Sequence, residues 1–202
     1  MEQVHTYVQR GLQMLEAEEK NSEEKGVFIR LKGWYLLHKG NYQEAEQVLW
    51  EAMEIFRNCV SDREYFSMSI AACQGYLGDL SRAKGDFEKA REYYQAAIEL
   101  GTGKVVTNGL GQFYSSMGQV LYLEKQYEEA DEYLEKAVSC LKSHGYYWGL
   151  ERALAYRAML LWETGKQEEA KLCYEESWKI SHKIKNPTTI SILKQVENYI
   201  NL

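Results

Sequence analysis

Alanine recurs at positions 45, 90, 130 and 170, at intervals of 45, 40 and 40 residues, and the residues around each alanine recur with it. A unit of this length is too short for a domain and too long for a single helix. Each copy must therefore be a supersecondary unit that buries its apolar face against a like neighbour. The stretch Tyr114–Val138 shows the unit most clearly, as one helix, a tight turn and a second helix folded back on the first. Gly118 lies on the face of Tyr114 and Leu121, where a missing side chain lets a neighbouring helix approach; Ala130, Leu134 and Ala137 supply the matching small and apolar stripe.

The other copies keep the frame. The first carries Gly33, Leu36, Gly40, Tyr42, Ala45, Leu49 and Ala52, the second Gly78, Gly85, Phe87, Ala90, Tyr94 and Ala97, and the last Ala158, Leu161, Gly165, Ala170 and Tyr174. Lys32, Ser81, Lys125, Gln167 and Ser177 stand where a strict repeat wants other residue types. With Tyr114-x-x-Met117-Gly118-x-x-Leu121 and Ala130-x-x-x-Leu134-x-x-Ala137 as its best copy, the series resembles the tetratricopeptide repeat. It departs from the family's usual period of about 34 residues and lacks the proline that closes most second helices, Pro187 being the only proline. The extra residues are expected to lengthen each first helix by more than a turn, as in the long-repeat branch found in polarity adaptors and bacterial regulators. The resemblance implies an all-α, right-handed superhelical solenoid of antiparallel helix pairs, about ten helices in all.

The chain reads as one TPR-like domain over 1–202, with a half-repeat or cap helix at 1–21 and four repeats at 22–60, 61–103, 104–144 and 145–186. Val4 to Lys20 is expected to be helical and echoes a second helix, so the chain begins on half a repeat, which is either a dedicated cap or the mark of a chain cut from a longer protein. Ser61-Asp62-Arg63-Glu64 has capping-box spacing, and Leu100-Gly101-Thr102-Gly103 is expected to stop a helix with a left-handed glycine. Residues 187–202 form a capping helix that opens on Asn186-Pro187, with Ile190, Leu193, Val196 and Ile200 on its inner side.

Several function classes fall away. A net charge of -6 argues against nucleic acid as a direct partner. No apolar run approaches the roughly 20 residues of a membrane span, so the expected location is cytoplasmic. Cys59, Cys73, Cys140 and Cys173 are far apart and read as free thiols of a reducing compartment. His5, His38, His144 and His182 have no metal-ligand spacing, and Gly101-Thr102-Gly103-Lys104 lacks the ending of a phosphate loop. Glu128-Glu129 and Glu168-Glu169 suit the positive ends of second helices rather than acid–base work. No cofactor, metal or catalytic residue is expected, and the chain is read as a non-enzyme.

What remains is the inner wall, which in this family the first helices line. Helical spacing places Asn108, Gln112, Ser115 and Gln119 there as one continuous polar stripe, followed by Tyr122, and amides in a row can pair with the backbone of an extended peptide. The same projection adds Arg30 and Trp34, Asp79 and Arg82, then Trp148, Arg152, Met159 and Trp162. Three arginines against Asp79 favour an acidic or carboxylate-bearing partner, and the tryptophans are candidate anchors. The family's carboxylate clamp needs Lys and Asn where Gly75, Asp79, Ser115 and Gln119 stand, so that function is not carried over. The leading expectation is a non-catalytic module binding a peptide or extended partner segment. The alternatives are the ligand-sensing domain of a larger bacterial transcriptional regulator and a self-associating scaffold that forms homo-oligomers.

Overall fold

The computed structural model describes residues 2–17, 22–59, 63–102 and 108–200. Among them are ten helices and no strand: α1 (Glu2–Ala17), α2 (Ser22–Lys39), α3 (Tyr42–Asn58), α4 (Arg63–Ala83), α5 (Phe87–Gly101), α6 (Asn108–Leu123), α7 (Tyr127–Ser143), α8 (Tyr147–Glu163), α9 (Gln167–Ile184) and α10 (Pro187–Ile200). They form two compact units, Met1–Thr102 with α1 to α5 and Gly103–Leu202 with α6 to α10. In the first, α2 pairs with α3 and α4 with α5, while α4 also packs on α2 and α3. In the second, α6 pairs with α7 and α8 with α9; α8 also packs on α6 and α7, and α10 covers α8 and α9.

The repeat is visible as geometry. Ala45, Ala90, Ala130 and Ala170 are all fully buried. Sixteen residues after the small residue of each first helix comes the large one that fills its gap. A Cβ on Gly33 would meet Leu49 at 2.6 Å, on Gly78 Tyr94 at 2.5 Å, and on Gly118 Leu134 at 2.7 Å. In the fourth copy Ala158 and Tyr174 share one buried cluster. The missing side chains are therefore what bring paired helices into contact, and Leu49, Tyr94 and Leu134 are buried by it.

Each of the four repeat hairpins turns through the same backbone hydrogen bond. The amides of Asn41, Asp86, Gln126 and Lys166 donate to the carbonyls five residues back, of Leu36, Ser81, Leu121 and Leu161, at 2.8–3.0 Å. This closure puts the residue before each amide in the left-handed region. Gly40, Gly85 and Gly165 take it with φ of +80 to +82°, whereas the third copy places Lys125 there at φ +62°. The lysine that looked like drift in sequence thus occupies the one turn position where a side chain is strained.

Two expectations are corrected and others fall outside the described residues. Helix α5 runs through Gly101, which is not left-handed, and stops at an extended Thr102 whose hydroxyl and amide both bond the Ile98 carbonyl. The extra residues of the long repeat are placed differently from copy to copy: the first helix α4 spans 21 residues against 15 in α5, as expected, whereas α6 spans 16 against 17 in α7 and α8 spans 17 against 18 in α9. Residues 18–20 of the first expected helix and Ser61-Asp62 of the expected capping box are not described. At the other end, Asn186 Oδ1 accepts from the amides of Thr188 (3.1 Å) and Thr189 (3.5 Å) to start α10. Leu193 and Val196 of that helix are buried while Lys194 and Gln195 face solvent.

Candidate functional site

In the first unit the expected site residues do not form an open charged surface. The gap at Gly78 admits the Tyr94 ring, and the Tyr94 hydroxyl donates to Asp79 Oδ1 at 2.8 Å. Arg82 donates to the same carboxylate at 3.3 Å and contacts the tyrosine oxygen at 3.4 Å. Asp79 and Arg82 therefore neutralise each other around a buried tyrosine, which removes both from the charges expected to meet a ligand. Burial, with Asp79 second, raises the Tyr94 hydroxyl far above its ordinary range. Arg30 bonds Tyr76 and lies near Cys73, while its Nε is buried without a partner. Trp34 is half-buried with its ring 4.3 Å from the ring of His38, whose Nδ1 sits 2.9 Å from the Trp34 carbonyl.

In the second unit α6 and α8 lie side by side as one wall. At one end, Gln112 Nε2 donates to the Trp148 carbonyl at 2.7 Å, and Arg152 Nη2 donates to Gln112 Oε1 at 3.1 Å. The geometry depends on Gly149, at φ +90°, where a Cβ would fall 2.1 Å from Gln112 Nε2. At the other end, the Tyr122 ring lies 5.9 Å from that of Tyr127 and 5.9 Å from that of Tyr156. Glu163 closes this group, accepting from the Tyr122 hydroxyl at 2.6 Å and the Tyr127 hydroxyl at 2.5 Å. Burial and the Glu163 hydrogen bond together push the Tyr122 hydroxyl well above the usual tyrosine range.

The polar stripe itself is corrected. Ser115 and Gln119 are 0% and 1% exposed, and Gln119 Nε2 donates to Ser115 Oγ at 3.1 Å. The reason is that α6 is covered on two sides, by α7 and by α8, so its inner row is interior rather than open. Gln112 stays half-buried at the edge, and the side chain of Asn108 lies outside the described residues. Trp148 is 62% exposed and contributes its carbonyl, its ring standing free of any core cluster. Met159 and Trp162 rest on the cluster that α8 builds with α9 and α10. Trp162 is off the phase set by Arg152, Tyr156 and Glu163, so it turns to the flank rather than the wall.

The expected row thus reduces to Gln112, Tyr122 and Arg152 with the exposed Trp148, and the wall gains Tyr127, Tyr156 and Glu163. Spacings of 4, 3 and 4 from Arg152 through Tyr156 and Met159 to Glu163 carried the signal for two of these. Neither charge on the wall has a counter-ion among the described residues: no carboxylate pairs with Arg152, and no lysine or arginine with Glu163. The nearby cations are committed elsewhere, Arg157 to Asp131 at 2.8 Å and Glu135 at 3.5 Å, and Lys166 to Asp131 at 3.7 Å. Among the described residues no cluster of metal-binding side chains occurs and no helix is long and apolar enough to cross a membrane.

Comparison with known proteins bears on the repeat. Three family profiles, all described as Tetratricopeptide repeat, match residues 110–181, 71–102 and 32–58. No curated protein matches the chain. Among solved structures, aspartyl phosphate phosphatase F from Bacillus subtilis superposes with a TM-score of 0.78 at 16% identity, over 90% of this chain and 46% of that one. The apo form of RapI superposes at 0.77 with 14% identity, over 100% of this chain and 55% of its own. A Rap conjugation gene regulator of plasmid pLS20, solved with a Phr peptide, superposes at 0.68 with 18% identity, over 86% of this chain and 48% of its own. The chain spans about half the length of these proteins, and at such identities the likeness is one of fold.

Proposed function

We infer the function from the premise that this chain belongs to the tetratricopeptide-repeat family, whose profiles match both of its units. It acts as a non-catalytic interaction module, and the α6–α8 wall of the second unit holds a peptide or an extended segment of a partner protein. One observation carries this reading. Arg152 is a half-buried cation fixed by Gln112, its Nε is buried with no partner, and no carboxylate balances it among the described residues. A guanidinium with unused donors in a partly desolvated place is strengthened as a carboxylate receptor, because it presents a planar fork where water competes poorly. The Gln112 amide beside it and the exposed Trp148 ring add hydrogen-bonding and apolar surface to the same end of the wall.

A partner segment bearing an aspartate, a glutamate or a free C-terminus fits this end. The four free cysteines suit a reducing compartment, which supports a cytoplasmic location. A second reading, the ligand-sensing part of a regulator, is favoured by the likeness to a conjugation gene regulator solved with a peptide.

The test is selection from a random library of extended peptides displayed against the wild type and against Arg152→Ala. Enrichment of acidic residues or free C-termini on the wild type, lost on Arg152→Ala at equal thermal stability, is the expected result. Selected peptides that bind both proteins equally would remove Arg152 from the site.

A further inference from the structure

The aromatic end of the wall carries a second recognition element. Tyr122, Tyr127 and Tyr156, from α6, α7 and α8, form two ring pairs around Tyr122 with centroids 5.9 Å apart, the one with Tyr127 tilted and the one with Tyr156 edge-on. All three are half-buried, and Glu163 beside them is exposed. Both Glu163 oxygens accept from tyrosine hydroxyls, so the carboxylate is fixed in place without losing its charge. Among the described residues no lysine or arginine approaches it within ion-pair distance, because Arg157 and Lys166 are held by Asp131. Hydroxyls turned toward Glu163 orient the ring dipoles, and the ring faces add the negative side of their quadrupoles.

We propose that Tyr122, Tyr127, Tyr156 and Glu163 form a cation-binding box that takes the side-chain ammonium of a lysine carried by the partner segment. The inference rests on the reading of the α6–α8 wall as a peptide site and names what its second end recognises. Charge complementarity selects the occupant: a carboxylate fixed by Tyr122 and Tyr127, with the Tyr156 ring against Tyr122 and no counter-ion among the described residues, attracts a compact cation and rejects an anion. A lysine also delivers four methylenes, which lie against the rings while the ammonium reaches the carboxylate. Arg152 and Glu163 share one helical phase and lie eleven residues apart, about 16 Å along α8 at the helical rise. One extended segment can therefore place an acidic group at Arg152 and a lysine at the box.

The same geometry separates recognition from mere packing. A pair of tyrosines pinned by a carboxylate is also satisfied by a neutral amide, whose oxygen accepts from one hydroxyl while its NH2 donates to the other. A cation box needs the negative charge.

The experiment is an NMR titration of the full chain carrying 13C-labelled tyrosine with acetyl-Gly-Lys-Gly amide and with its norleucine counterpart. Saturable shifts of the Tyr122, Tyr127 and Tyr156 ring signals are expected with the lysine peptide, and about tenfold weaker binding with norleucine. Glu163→Gln, which keeps an acceptor oxygen, should lower the lysine affinity about tenfold to the norleucine level with the melting temperature unchanged. Equal binding of lysine and norleucine, shifts at other tyrosines, or a Glu163→Gln protein that melts lower yet binds as before would each overturn the box. Library selection at Arg152 reads the underlying site independently. Acidic enrichment there without lysine preference ends this inference alone, and loss of both ends the peptide reading too.

Discussion

Replacing Gly118 by alanine probes the contact that the whole repeat depends on. The added Cβ would lie 2.7 Å from Leu134 Cγ, 3.0 Å from its Cδ2 and 3.2 Å from the Ala130 carbonyl oxygen. Carbon atoms in contact prefer about 3.5–4.0 Å, so the side chain must shift by most of an ångström in an interior with little free volume. Overpacking of this kind costs about 1–3 kcal/mol, offset by about 1 kcal/mol of helix propensity gained over glycine. The net expectation is a loss of roughly 0–2 kcal/mol. Leu134→Ala alone empties a fully buried site and should cost about 2–5 kcal/mol. With both substitutions the clash is gone and only the carbonyl contact remains, so the alanine at 118 should then be neutral or stabilising by up to about 1 kcal/mol. The cycle predicts a coupling of about 1–3 kcal/mol, read from urea midpoints followed by far-ultraviolet circular dichroism at a shared slope. Additivity within about 0.5 kcal/mol would refute the argument that the glycine exists to receive Leu134.

Other parts of the molecule respond to substitution in equally specific ways. Lys125→Gly relieves a non-glycine residue at φ +62° and should raise stability by about 1 kcal/mol, detectable as a higher melting temperature; no change would mean the turn is unstrained. Gln119→Ala removes a buried amide bonded to Ser115 and should destabilise by about 1–2 kcal/mol in chemical unfolding, where an open ligand-facing amide would have cost nothing. Burial pushes the Cys73 thiol from its ordinary 9.0 up to about 12, against the opposing pull of Arg30. A raised folded value means stability that is complete below about pH 9 and lost as pH rises towards 12. Unfolding midpoints between pH 8 and 11 should fall less steeply in Cys73→Ala than in wild type, and equal slopes would contradict the burial argument.

The repeat was legible because it is written in residues that the backbone contact cannot do without. Gly33, Gly78 and Gly118 each face a large residue sixteen positions on, and Gly40, Gly85 and Gly165 each fill a left-handed turn position. Such demands recur with the period and survive drift elsewhere. The site was legible in phase but not in cover. Helical spacing placed Ser115 and Gln119 on the inner row of α6, yet whether an inner row is open depends on the next helix, and α8 closes it. Asp79 looked available because the tyrosine that claims it lies fifteen residues away across the hairpin. Glu163 was missed for the opposite reason. A glutamate at a helix end ordinarily belongs to solvent, and only the convergence of Tyr122 and Tyr127 from two other helices makes it part of a site.

The central claim is that ligand contact falls on the wall made by α6 and α8. Hydrogen–deuterium exchange of the full chain, with and without a library-selected peptide at saturating concentration, measures this directly. Slowed exchange is expected in residues 112–122 and 148–163 and at the start of α7 beside Tyr127, with the rest of α7, α9 and the first unit little changed. Protection centred on α7 and α9 that leaves α6 and α8 untouched would contradict it.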